Sequence, residues 1–178
     1  MTFAYLTGWR LTSEILPLEW GQVDWTGREV RLDPGTTKNR EGRSFPFTAD
    51  LDALLTDQRA EHDRLKQAGT ICPRVFQRAG APIKGFRRAW LTACKAAGVP
   101  GRLLHDFRRT AVRNLERQGV SRSAAMAMVG HKTESIYRRY AIVDSVTLRE
   151  AAAKIDEAMG TVPGTVQPDQ ARPAEQIA

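Results

Sequence analysis

Apolar residues in this chain recur every three to four positions over most of its length and alternate only in one short stretch near the start. Phe3-Ala4-Tyr5-Leu6 reads as the end of an apolar helix that stops near Thr7-Gly8. A short helix is expected from Leu11 to Leu18, with Thr12 or Ser13 as its N-cap and Pro17 near its stop. Val23-Asp24-Trp25, a turn at Thr26-Gly27, and Glu29-Val30-Arg31-Leu32 then predict a hairpin. A second turn at Asn39-Arg40-Glu41-Gly42 precedes Arg43-Ser44-Phe45-Pro46-Phe47. Together these make a small three-stranded antiparallel sheet, with Lys38 just before the second turn.

Helical spacing takes over after the sheet. Leu51, Leu54, Leu55, Gln58 and Arg59 open a helix that runs through a charged stretch to Leu65. Cys72 to Phe76 suggests a short extended piece turned by Gly80-Ala81-Pro82. Phe86, Trp90, Leu91 and Cys94 predict another helix, ended by Gly98. A helix from about Asp106 to Arg117 would bury Phe107, Ala111, Val112 and Leu115 and stop at Gly119. Ser121 caps the next, which carries Ala124, Ala125, Met128 and Val129 and ends at Gly130. A short helix holds Ile136 to Tyr140. The last places Leu148, Ala152, Ile155 and Met159 on one stripe, which needs a packing surface in cis or on a neighbouring copy. Beyond Thr161, Pro163, Gly164, Pro168 and Pro173 among polar residues predict a disordered tail. The fold class is thus α+β, mostly helical with a three-stranded antiparallel sheet near the N-terminus. One domain is expected over residues 1–160, with a tail at 161–178.

Composition narrows the function. A chain of 178 residues, 42% hydrophobic, can build one real core. No apolar run reaches the roughly 18–20 residues that span a bilayer, and the N-terminus lacks a signal-peptide pattern, so a cytoplasmic protein without membrane contact is expected. Cys72 and Cys94 lack metal-ligand spacing and read as ordinary thiols. The net charge is +7, and only Lys38, Lys66, Lys84, Lys95, Lys132 and Lys154 among 27 basic residues are lysine. Arginine clamps phosphate better because its planar fork bonds two oxygens at once. Nucleic acid, an acidic partner or a codon bias would each fit that charge.

Six residues form one chemical set: Arg10, Lys38, His105, Arg108, His131 and Tyr140. Two arginines can hold a phosphodiester, a tyrosine can attack its phosphorus, and a lysine and histidines can manage the protons. Each has a plainer reading when taken alone. Arg10 or Arg108 could be a solvated charge, His105 a helix cap or core histidine, and Lys38 a hairpin lysine. His131 follows an ordinary helix stop, and Tyr140 competes with Tyr137 and Tyr5 as a half-buried aromatic. A free tyrosine ionises only near pH 10, so a nucleophile would need neighbouring cations or a base.

In order and spacing, TGWRLTSEILPLEW, TTKNREGR, LHDFRRTAVRNL and MVGHKTESIYRRY resemble the catalytic-domain boxes of the tyrosine recombinase (phage integrase) family, over about residues 5 to 155. The resemblance implies that family's catalytic-domain fold. It also implies strand breakage and rejoining through a 3′-phosphotyrosyl link, with no metal, ATP or other cofactor. Arg10, Arg108 and His131 would bind the scissile phosphate, Lys38 would protonate the leaving 5′ oxygen, and His105 would assist proton transfer. Tyr140 would be the nucleophile, nine residues after His131, a spacing that Tyr137 does not match. The implied partners are double-stranded DNA and further copies of the chain assembled on it, in a phage or other mobile element. The family's first box sets arginine and glutamate three apart, whereas Arg10 and Glu14 are four apart, an extra residue that a loop bulge would absorb. Family members normally carry an N-terminal core-binding domain that closes a clamp on DNA. The chain opens inside the catalytic domain's first helix, so an N-terminally truncated domain is expected. A remnant that binds DNA without recombining is the alternative. A type IB topoisomerase fits the spacing less well, and a helix-turn-helix regulator leaves the co-occurrence of His105, Arg108, His131 and Tyr140 unexplained.

Overall fold

The computed structural model describes residues 1–35, 41–141 and 145–159. The chain divides into two units, Met1–Ile142 and Val143–Ala178. In the second, one helix is described, α7 (Ser145–Met159), which forms where the apolar stripe of Leu148, Ala152, Ile155 and Met159 requires it. Lys38 and the stretch from residue 161 onward, expected to be a hairpin lysine and a disordered tail, lie outside the described residues.

The first unit opens with α1 (Thr2–Thr7), which buries Phe3 and Ala4 and ends on Gly8 in the left-handed conformation. The second helix departs from expectation. Residues Leu11–Ile15 form a widened turn in which Ile15 N–H donates to Arg10 O and Leu16 N–H to Leu11 O, five residues back. Its N-cap is Arg10 rather than Thr12 or Ser13. The sheet follows in the expected order: β1 (Val23–Asp24), β2 (Glu29–Leu32) and β3 (Arg43–Pro46), all antiparallel, with Val30 paired to both Val23 and Phe45. The first hairpin turn is wound by Asp24, whose Oδ1 accepts from the N–H groups of Thr26 and Gly27. Arg28, not Gly27, takes the positive φ there.

Helix α2 (Ala49–Gln67) is capped by Thr48 and buries Leu51 and Leu55. A two-stranded ribbon, β4 (Gln77–Arg78) and β5 (Ala81–Pro82), turns at Ala79-Gly80, so Ala81 and Pro82 lie in a strand rather than in the turn. Helix α3 (Arg87–Ala96) buries Cys94 but leaves Leu91 half exposed, against its place on the predicted apolar face. Helices α4 (Asp106–Arg117) and α5 (Arg122–Val129) keep their predicted bounds, and Ser121 Oγ accepts from Ala124 N–H as the α5 cap. Helix α6 is Glu134–Arg138, so Tyr140 stands just past its end instead of within it.

Two clusters hold the unit together. The larger joins Phe3, Trp9, Ile15, Leu18, Val30, Phe45, Leu51, Leu55 and Val75 across α1, the sheet and α2. The smaller joins Val112, Ala125, Val129 and Tyr137 across α4, α5 and α6. Gly8 is where α1 meets α4: a Cβ added there would fall 2.9 Å from the Ala111 Cβ, at a φ of +65°. Gly8→Ala is therefore expected to cost about 1–3 kcal/mol from left-handed strain and overpacking together, read by denaturant unfolding. A change under a few tenths of a kcal/mol would contradict the close approach.

Candidate active site

Arg108 sits in the first turn of α4 and is only 2% exposed, so its donors need partners. Its Nη1 donates to Gly8 O at 2.9 Å, its Nη2 to Gly130 O at 3.3 Å and its Nε to His131 Nε2 at 2.9 Å. One guanidinium thus ties the exit of α1 to the end of α5. A guanidinium carries five N–H groups, so one on each Nη remains for a ligand. Burial first, then the Arg10 charge, lowers the Arg108 pKa to about 10, which still leaves the group charged at neutral pH.

Arg10 leaves α1 beside Gly8 and keeps its side chain 29% exposed. The widened turn explains how a glutamate four residues on still serves it. Glu14, fully buried, takes the Arg10 backbone N–H at 2.6 Å through Oε2 and the Arg10 Nη1 at 2.7 Å through Oε1. The extra residue is absorbed by the five-residue hydrogen bonds, and the carboxylate reaches its target. Burial alone would raise the Glu14 carboxyl, but Arg43 and both bonds from Arg10 outweigh it and hold it below the ordinary range. Arg43, from β3, lies 2.5 Å from Glu14 Oε2 with its side chain 5% exposed. Two guanidinium groups thus meet one carboxylate while Arg108 adds a third positive charge to the site, and the surplus positive charge suits an anion.

The aromatic groups complete the site. Tyr140 Oη is 2.8 Å from His105 Nε2, and its ring stacks on His131 at 4.7 Å between centroids and 23° between planes. Tyr137 lies edge-on to His131 but is fully buried, and burial, with Glu116 nearby, pushes its phenol up to about 12. Of the two tyrosines, only Tyr140 has its oxygen beside an imidazole and within the cationic cluster. Arg10, His105 and Arg108 line one cavity of about 250 Å³ with Trp9.

Both histidines favour the neutral form. Burial first, then Arg108 and Arg10, lower His105, and the same causes bring His131 to about 4. A neutral His105 can accept a proton on Nε2, while His131 Nε2 is already occupied as the acceptor for Arg108. A histidine whose folded pKa is depressed adds stability that is complete above the ordinary value of 6.5 and lost as pH falls toward the folded value. Melting temperature is therefore expected to drop between pH 6.5 and about 4. His131→Asn, which keeps an acceptor but cannot titrate, should flatten that drop, and an unaltered pH profile would contradict the assignment.

Five of the six predicted residues thus converge, and Lys38 lies outside the described residues. Glu14 and Arg43 were missed as site residues. Glu14 carried one signal, its place near Arg10, whereas Arg43 reads in sequence as an ordinary strand arginine. Among the described residues no three His, Cys, Asp or Glu side chains gather as metal ligands, and no helix is long and apolar enough to cross a membrane.

Residues 1–145 match the phage integrase family. The chain is 30% identical to an integrase of Salmonella phage P22 over 168 residues, covering 89% of this chain and 42% of that protein. It is also 30% identical to a putative integrase/recombinase, y4rA, of Sinorhizobium fredii, covering 79% of this chain and 34% of the relative. The chain thus spans less than half the length of either. Among solved structures, the XerA recombinase superposes with a TM-score of 0.67 at 17% identity, over 85% of this chain and 55% of that one. The Tn1549 transposon integrase, solved with circular intermediate DNA, gives 0.54 at 16% identity, over 85% and 54%. These likenesses establish the fold as that of a recombinase catalytic domain.

Proposed function

The chain belongs to the phage integrase family, and from that membership we propose that it breaks and rejoins double-stranded DNA through a 3′-phosphotyrosyl bond on Tyr140. The observation that carries this reading is the Tyr140 hydroxyl, 2.8 Å from His105 Nε2 and stacked on the imidazole that fixes Arg108. A scissile phosphate held by the free N–H groups of Arg10 and Arg108 would put its phosphorus in reach of that oxygen. Tyr140 attacks, and His105 takes the phenolic proton. The developing phosphorane charge falls on guanidinium groups already in place, so little reorganisation is needed. His131 acts first by orienting Arg108, and Lys38 delivers a proton to the departing 5′ oxygen. The P–O bond to that oxygen breaks as the P–O bond to tyrosine forms. The bond energy stays in the linkage, and attack by another strand's 5′ hydroxyl reverses the step. Because that strand comes from a second site, copies of the chain assemble on DNA, in keeping with a phage or other mobile element.

The test is covalent capture. The chain is incubated with chelator and a randomised pool of duplexes, each nicked on the 3′ side of the cleavage region so that the short piece bearing the new 5′ hydroxyl diffuses away. A protein–DNA adduct that survives denaturation is the expected result. Binding without an adduct at any sequence would contradict strand cleavage and favour a protein that only binds DNA.

A further inference from the structure

Behind the residues that face the phosphate stands a buried cation that the cleavage chemistry does not use. Arg43 opens β3, five positions after Lys38 in sequence, and its side chain is 5% exposed. A buried guanidinium is costly unless its charge is matched. Its one carboxylate partner among the described residues is Glu14, an ion pair at 2.5 Å from Nη2, and none of its three nitrogens makes a well-aligned hydrogen bond there. Its carbon centre lies 5.3 Å from the ring centroid of Trp9, whose Nε1 donates to Met128 O near the end of α5. On its far side it abuts Gly130, where any Cβ would collide with the guanidinium. Gly130 O is also an acceptor for Arg108.

From this arrangement we infer that Arg43 is a positioning residue for strand cleavage: through Glu14 it fixes the Arg10 guanidinium, and against Gly130 it braces the turn that presents His131. The inference rests on the strand-cleavage reading for its chemical consequence but not for its geometry. A carboxylate with a single cation could rotate to follow it. Glu14 instead takes Arg10 through both oxygens and Arg43 through one, so its plane is set from two sides. The Arg10 side chain is the most exposed of the three arginines at the site and has no other ion-pair partner among the described residues, so it gains most from that fixed acceptor. The same ion pair pins the start of β3.

Two readouts on the full chain decide it. The first needs no catalysis: amide hydrogen exchange of the Arg10 N–H, which Glu14 Oε2 accepts. Arg43→Met is expected to speed that exchange about tenfold or more while the Val30 and Leu51 amides keep their rates. Unchanged Arg10 exchange, or an equal rise at all three amides, would overturn the inference. The second is single-turnover cleavage of a captured nicked duplex. Arg43→Met is expected to lower the rate about 10²-fold with DNA affinity held within about threefold, and to cost less than threefold more when Arg10 is already alanine. Independent, multiplying losses in the double variant would overturn it, as would a loss seen in affinity alone. Arg43→Gln, which keeps an N–H donor and much of the volume without the charge, gives the same reading if the methionine variant does not fold. A chain that forms no adduct even when unsubstituted contradicts strand cleavage itself, and the exchange result still decides whether Arg43 holds Arg10.

Discussion

Tyr140→Phe is expected to eliminate the covalent protein–DNA adduct, whereas Tyr137→Phe leaves cleavage per folded molecule nearly intact. The two tyrosines stand three positions apart in sequence, yet their surroundings differ. Tyr137 is fully buried in the smaller core cluster, and its phenol is pushed up to about 12, so neither access nor ionisation favours attack. Tyr140 meets His105 Nε2 directly, so a proton acceptor is in place before any substrate arrives. Without the nucleophile no alternative oxygen is aligned, and adduct yield is expected to drop at least about 10³-fold. The Tyr137 change removes one buried hydroxyl, with stability shifted by about 1 kcal/mol or less. Denaturing gels of captured adducts, normalised to folded protein, check both. Loss of the adduct on Tyr137→Phe alone would reverse the assignment.

Arg108→Lys is expected to lower cleavage by about 10²–10⁴-fold and also to destabilise the fold. Read from sequence, this arginine is a phosphate ligand. The structure gives it a second duty. Three of its donors hold Gly8 O, Gly130 O and His131 Nε2, and a lysine ammonium cannot reach all three and still face a ligand. Leaving buried acceptors without partners costs about 1–3 kcal/mol. Arg10→Lys should separate the two effects. Its side chain is 29% exposed and spans no such set of carbonyls, so it should lose cleavage with little change in unfolding free energy. Equal stability losses in both variants would contradict the distinction.

The parts of this fold set by local rules were open to reading. The bounds of α4 and α5 follow from apolar spacing, Gly119, Ser121 and Gly130, and the sheet follows from alternation and turn residues. The parts set by contacts between distant segments were not. Whether the extra residue after Arg10 would sit in a loop or a widened helical turn depends on the buried Glu14 reaching back to Arg10, which no local propensity encodes. Arg43 reads as a solvated strand residue until Trp9, Glu14 and Gly130 close around it. Arg28 takes the left-handed conformation beside an available glycine because Asp24 already binds the Gly27 N–H. Tyr140 falls outside α6 because the chain tightens there, with Arg139 N–H donating to Ile136 O and Tyr140 N–H to Tyr137 O, three residues back. Four of the site residues were legible as a chemical set through the two closely spaced boxes, and Arg10 through its junction after Gly8.

The central claim is that Tyr140 becomes covalently joined to DNA, and peptide mapping of the captured adduct tests it most directly. After nuclease trimming and proteolysis, mass spectrometry is expected to find the nucleotide on the peptide bearing Tyr140, linked through a 3′ phosphate, with the released strand ending in a 5′ hydroxyl. A nucleotide on Tyr137, a 5′-phosphate linkage, or bound DNA that yields no modified peptide would contradict the account.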